Sequence, residues 1–262
     1  MSIKIYQIDA FTNKLFGGNP AAVCPLDKWL DDALMQKIAM ENNLSETAFF
    51  VKSGDKYQIR WFAPKVEVKL CGHGTLATAY VIFNYVDKNA NQIIFESKSG
   101  DLIVVKEQNN ITLDFPTAEL TQCASYDDKL IRSLKVKPKE VLLGRGTDYV
   151  VVLESQSDVE HCKPDFKLLE EADARGVAIT AIGDEVDFVS RWFAPKGGVN
   201  EDPVAGSAHC MLTPYWNKKL NKTKLHAKQL SARGGDLSCE LHNNRVLLTG
   251  QALPYIIGEI YL

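Results

Sequence analysis

This chain has no apolar run near the roughly 18 residues a membrane-spanning helix needs, which argues against a helical membrane protein. Blocks of like charge are also missing. Thirty Lys and Arg are scattered among 33 Asp and Glu, for a net charge of −3. Without a basic stripe, nucleic-acid binding has no electrostatic footprint. The first ten residues alternate like a strand and lack the apolar stretch and cleavage site of a secretory signal. The six cysteines (Cys24, Cys71, Cys123, Cys162, Cys210 and Cys239) include no Cys-x-x-Cys pair. A chain of 262 residues buries enough core to fold without disulfides. The cysteine usage therefore predicts a reduced, cytoplasmic protein. The adjacent pairs His161-Cys162 and His209-Cys210 point in different directions on a helix or a strand, so no metal site is expected from them. Low-complexity segments and long flexible linkers are absent too.

What remains is an ordinary soluble composition, 45% hydrophobic and 24% charged, with one unusual feature. Arg60-Trp61-Phe62-Ala63-Pro64-Lys65 returns letter for letter as Arg191-Trp192-Phe193-Ala194-Pro195-Lys196. The first copy leads to Leu70-Cys71-Gly72-His73-Gly74-Thr75, the second to Pro203-Val204-Ala205-Gly206-Ser207-Ala208-His209. Setting Gly72 against Gly206 pairs Cys71 with Ala205 and His73 with Ser207. A repeat half a chain long is too wide for a solenoid. It predicts two pseudo-equivalent domains with chemistry shared between them. The expected division is 1–117 and 118–262, with the tail 253–262 open between its own domain and the first.

Periodicity predicts strands at Ile3–Ile8, Tyr57–Phe62, Gln92–Ser97, Leu102–Glu107 and Ile111–Phe115, with a further strand emerging from the polar loop before Val51. Helices are expected over Asp31–Glu41 and Leu76–Val86, the second nearly apolar all round. The second half repeats the style. Short helices are expected near Asp127–Leu134 and Asp165–Ala174, and strands at Val141–Leu143, Tyr149–Leu153, Val177–Ile182 and Val186–Phe193. A helix should begin near Gly206, with Pro214 kinking or shortening it.

Two glycine-containing loops, each opening a helix, offer backbone N–H groups and a positive helix end to a carboxylate or phosphate. Glu46 stands between polar Asn42-Asn43 and apolar Ala48-Phe49-Phe50, where partial desolvation would raise its pKa and suit it to acid–base work. His73, Asp202 and Ser207 lie on the two arms and add an imidazole, a carboxylate and a hydroxyl. The same residues admit plainer roles: a solvated loop end for Ser45-Glu46, a structural histidine at 73, a turn-former before Pro203 at Asp202. His209 either caps or packs. Cys71 faces Ala205 rather than a second thiol, so it reads as a small buried hydrophobe.

The strings Asp9-Ala10-Phe11-Thr12 with Gly18-Asn19-Pro20-Ala21-Ala22-Val23, Asn43-Leu44-Ser45-Glu46-Thr47-Ala48-Phe49, Leu70-Cys71-Gly72-His73-Gly74-Thr75 and Glu201-Asp202-Pro203-Val204-Ala205-Gly206-Ser207-Ala208-His209 resemble the phenazine-biosynthesis PhzF-like isomerase family. The blocks stand in the family's order and span most of the chain. The resemblance implies an α/β (α+β), diaminopimelate-epimerase-like fold: two pseudo-symmetric domains, each a curved, mostly antiparallel sheet around a central helix, with the active site between them. It implies Glu46 as general base and acid, and His73, Asp202 and Ser207 orienting substrate and moving the proton. It also implies Asn19, Ser45, Gly72, Gly74 and Gly206 as substrate-binding positions. The family's characterised reaction isomerises trans-2,3-dihydro-3-hydroxyanthranilate with no metal or organic cofactor. Gly74 departs from the family's pattern, adding room and removing no chemical group. A small carboxylic acid is the implied partner and a homodimer the implied assembly. Two alternatives stand beside this reading: an amino-acid or hydroxy-acid racemase or epimerase, and a non-catalytic binding or interaction protein on the same fold.

Overall fold

The computed structural model describes residues 2–262. The chain forms two compact units. One runs up to Phe115 and takes back Leu248–Leu262; the other is Pro116–Leu247. Among the described residues, no helix is long and apolar enough to cross a membrane.

In chain order the first unit holds β1 (Ser2–Ala10), β2 (Asn19–Leu26), α1 (Asp32–Asn42), β3 (Glu46–Ser53), β4 (Lys56–Phe62), β5 (Glu67–Val68), α2 (Gly72–Val81), β6 (Gln92–Ser97), β7 (Gly100–Glu107) and β8 (Asn110–Pro116). The second holds β9 (Thr121–Gln122), α3 (Asp128–Leu134), β10 (Glu140–Leu143), β11 (Asp148–Val152), α4 (Gln156–His161), α5 (Phe166–Glu171), β12 (Gly176–Ile182), β13 (Phe188–Ala194), β14 (Val199–Asp202), α6 (Gly206–Leu220), β15 (Lys224–Gln229) and β16 (Gly235–His242). β17 (Arg245–Gly250) leads back to the first unit, where β18 (Ala252–Tyr261) pairs antiparallel with β1.

The repeat in the sequence is a repeat in strand pairing. In the first unit β2 and β3 run parallel, β3 and β4 antiparallel, β4 meets β5 antiparallel and β6 parallel, and β6 and β7 run antiparallel. In the second unit β11, β12, β13, β14, β15 and β16 repeat that ladder in the same order and senses. The fold is mixed α/β, strand-rich and mostly antiparallel. The two hexapeptide copies occupy β4 and β13, the strands from which both ladders branch.

Each unit wraps a helix. α2 lies against β1, β2 and β3, and Leu76, Ala77, Ala79 and Val81 are all fully buried. An all-round apolar helix must be enclosed, and full burial of one such large side chain is worth about 1.5–3 kcal/mol. The helix starts at Gly72, before the expected Leu76, and its end widens into an i→i+5 turn over Ile82–Val86 that closes with Asp87 N–H donating to Ile82 O at 2.7 Å. α6 corrects the shortening half of a second expectation. Pro214 lies inside it, yet the helix runs its full length to Leu220. A proline frees the carbonyl four residues earlier; here Ala118 N–H donates to that Cys210 carbonyl at 3.1 Å. α4, not expected from periodicity, is fixed by a capping box between Ser155 and Asp158.

Candidate active site

Glu46 is delivered by a helix stop. Asn43 ends α1 in the left-handed region at φ 49°, which Asn tolerates better than most residues. The chain turns there through Ser45 into β3. Since β3 lies parallel to β2 with Glu46 opposite Ala21, Glu46 and Asn19 share one end of two neighbouring strands. His73 arrives on the first turn of α2. The helix is capped by Cys71, whose sulfur accepts from Gly74 N at 3.3 Å. Thr75 Oγ1 donates to the Cys71 carbonyl at 2.5 Å.

These placements bring three of the expected residues together within the first unit. Asn19 Nδ2 donates to His73 Nδ1 at 3.0 Å. A ring nitrogen that accepts leaves the ring proton on the other, so Nε2 carries it. Nε2 lies 3.0 Å from Glu46 Oε2, with side-chain exposures of 4% and 19%. Oε2 is buried and faces that N–H.

Burial works against an imidazolium at His73, while the sulfur of Cys71 and the Glu46 carboxylate favour it. The balance lifts His73 well above the usual imidazole range. Burial also pushes the Cys71 thiol up to about 11. Near neutral pH the sulfur is therefore uncharged, so the attraction that favours a proton on His73 there comes from Glu46 beside it. A second ring proton, on Nδ1, would be met by turning the Asn19 amide so that its oxygen accepts.

Gly74 is constrained rather than roomy. A Cβ there would stand 2.9 Å from Trp61 Cδ1 and 3.0 Å from Cys71 Sγ. The Trp61 indole is 1% exposed and its N–H has no partner among the described residues. The tight packing of this corner was not legible in the sequence, though the Trp of the repeated hexapeptide was the available signal.

The second unit carries the other arm. Asp202 ends β14 and is half-buried; its carbonyl accepts from Gln229 Nε2 at 2.6 Å. Gln229 Oε1 accepts from Ala205 N at 2.9 Å, and Ser231 Oγ donates to the Pro203 carbonyl at 2.8 Å. Two side chains of the β15 strand end thus fix the run from Asp202 to Ala205. Gln229, 1% exposed, was missed from sequence. Gly206 is buried and Ser207 exposed at the start of α6, which has no side-chain cap among the described residues. An uncapped N-terminus suits an anion. His209 is a core residue: its Nδ1–H donates to the Ala205 carbonyl at 2.8 Å, its ring lies against Phe188, and burial pushes its pKa down to about 4.

Both arms are held by the repeated arginine. Arg60 donates from Nε and Nη2 to both oxygens of Glu67, each at 2.8 Å. Arg191 does the same to Glu201 at 2.7 and 2.9 Å. The fork fixes β5 ahead of Cys71 and β14 at Asp202. The paired cysteines needed for two-thiol chemistry are absent: Ala205 stands at the matched position, and burial pushes Cys210 up to about 12.

The family model for phenazine biosynthesis-like proteins matches residues 8–258. An uncharacterized isomerase of Pseudomonas aeruginosa is 48% identical over 262 residues, covering 100% of both chains. A PhzF-family crystal structure from Enterococcus faecalis superposes with a TM-score of 0.95 at 49% identity, covering 100% of both chains. A hydroxyproline epimerase of Agrobacterium vitis, at 8% identity, covers 99% of this chain and 91% of its own with a TM-score of 0.66, a likeness of fold alone.

Proposed function

The chain belongs to the phenazine biosynthesis-like (PhzF) family and with it to the isomerases; from that premise we propose that it moves a proton on a small, cyclic or aromatic-precursor carboxylic acid, with Glu46 as the acid–base group. The observation that carries this reading is the pairing of the buried Oε2 of Glu46 with the proton-bearing nitrogen of His73 at 3.0 Å. A carboxylate so placed can take an activated C–H proton and return it at another carbon. His73 steadies the anion before transfer and the neutral acid after it. Asn19 fixes which ring nitrogen faces Glu46. Asp202 and Ser207 would orient the substrate from the other arm, while backbone N–H groups at Gly72, Gly74 and Gly206, with Ser45 beside Glu46, would hold its carboxylate. No metal or organic cofactor has a part in this scheme. A homodimer in the cytoplasm is its expected setting.

A two-thiol racemase is less well supported, because Cys71 is a neutral thiol and faces Ala205 in the repeat. General acid–base groups typically contribute 10²–10⁴-fold, so Glu46→Gln should lower turnover by about that factor. The assay is NMR of product from a panel of small carboxylic acids that includes dihydro-hydroxyanthranilate. Circular dichroism should be unchanged. A Glu46→Gln enzyme with wild-type turnover would remove Glu46 from the chemistry.

A further inference from the structure

The repeat places a cation in the second unit beside the position where the first unit holds its carboxylate. Trp61 and Trp192 are the same position of the hexapeptide. Trp61 lies opposite Ala48 in the β3–β4 pair, and Trp192 opposite Ala178 in the β12–β13 pair. Two residues back along β3 and β12, Gly176 therefore matches Glu46, and Arg175 matches Ser45. The neighbouring strands agree, with Glu46 opposite Ala21 and Gly176 opposite Asp148. A Cβ at Gly176 would stand 2.1 Å from Trp192 Cζ2, so the indole fills the room that a side chain there would take. The second unit thus has no acid–base group at the position of Glu46.

Arg175 lies against that buried indole, its guanidinium carbon 5.8 Å from the ring centroid, within cation–π range. Its Nη2 donates to Oδ2 of Asp148, a side chain only 3% exposed, while that of Arg175 is 62% exposed. Arg60 and Arg191 engage Nε, Nη1 and Nη2 alike. Arg175 differs: its Nε and Nη1 have no hydrogen-bond partner among the described residues. A guanidinium anchored on one side by a ring and a buried acid, and open on the other, is already oriented for a planar anion. In the first unit the positions matching Gly176 and Ser207 are Glu46 and His73, whose side chains meet at 3.0 Å. Arg175 therefore belongs to the end of the second unit where α6 opens.

We propose that Arg175 is a substrate-binding residue, which takes the substrate carboxylate through the donors that Asp148 leaves open. Asp148 and Trp192 are positioning residues that act through it. The inference rests on the reading above, in which Gly206 and Ser207 receive a small carboxylic acid, and it adds charge selectivity to that reading. Arg keeps its charge at any working pH and donates without accepting, and charge-assisted bonds are about twice as strong as neutral ones. The enzyme therefore takes the acid as its anion and discriminates against the corresponding amide.

The test uses the full chain labelled with nitrogen-15 and two probes that need no turnover: benzoate, a carboxylate, and benzamide, its neutral counterpart. NMR follows the Arg175 Nε–H signal, assigned by its loss in Arg175→Lys. Benzoate should move that signal to saturation and benzamide should leave it in place. Removing Arg175 alone would strand the buried Asp148, so the second variant combines Arg175→Gln with Asp148→Asn, a neutral pair that can still hydrogen-bond. Its fold is checked by circular dichroism, and it should bind benzoate about tenfold to a hundredfold more weakly. In turnover, KM should rise by a similar factor with kcat little changed, the mark of a contact made equally before and during reaction. An Arg175 signal that benzoate does not move, or a folded paired variant that binds benzoate like wild type, would overturn the proposal. The titrations are read without proton transfer. A wrong role for Glu46 thus leaves the Arg175 result standing, and an unmoved Arg175 signal leaves the role of Glu46 standing.

Discussion

At the scale of single residues, two histidines of the chain show how surroundings set charge. His73 faces a carboxylate and is lifted; His209 is lowered by burial, against the pull of the Ala205 carbonyl. For His209 the sign follows from its neutral folded form. Below about 6.5 the unfolded chain takes up a proton that the folded chain refuses until about 4. Stability is therefore lost as pH falls across that window, by an upper bound of roughly 3 kcal/mol. Denaturant titrations at pH 7 and pH 4.5 should show a smaller acid loss for His209→Gln than for wild type. Equal losses would mean that His209 is not held neutral. Gly74→Ala places a methyl against the buried indole of Trp61. Overpacking costs about 1–3 kcal/mol and the helix gains about 1 from alanine, so a net loss is expected. A more stable Gly74→Ala variant would mean that Trp61 yields freely.

At the scale of elements, the arginine forks hold the arms. Arg191→Lys loses the bidentate contact with Glu201 and the bonds from Nη1 to the carbonyls of Val159 and Cys162, at 3.2 and 2.7 Å. A loss of about 2 kcal/mol is expected, measured by chemical denaturation; a change within a few tenths would make the fork decorative. Elements were also the scale most open to the sequence. β6 and β10 stood out because apolar runs were bounded by turn residues. α2 was found as a helix but late by a turn, because Gly72-His73-Gly74 carries no apolar period. α4 hid because six residues are too few to show a helical period, although Ser155-x-x-Asp158 is a cap signal. That Pro214 does not end α6 was hidden because the partner of the Cys210 carbonyl is Ala118, far away in sequence. Glu46 and His73 stood out in the sequence as candidates at loop borders. Their partnership with Asn19 did not, since it depends on the parallel pairing of β2 and β3.

At the scale of the whole molecule, the chain builds the same ladder twice and then returns its last strand to the first unit. β18 covers β1 along nearly its full length. Deleting Ala252–Leu262 should strip hydrogen-exchange protection from β1 while β12 and β13 in the second unit keep theirs. Loss of protection throughout would mean that the units do not fold independently. The repeated hexapeptide shows why such a plan is readable from sequence: the strand that branches each ladder needs the same Arg, Trp and Phe in both.

The most direct test of the account is deuterium uptake. Wild type and Glu46→Gln would be incubated in D₂O with a panel of small carboxylic acids including dihydro-hydroxyanthranilate, and each acid examined by NMR and mass spectrometry. The account predicts deuterium at one carbon of at least one acid with wild type, and none with Glu46→Gln. Equal incorporation by both proteins would contradict it, because the proton would then be moving through another group.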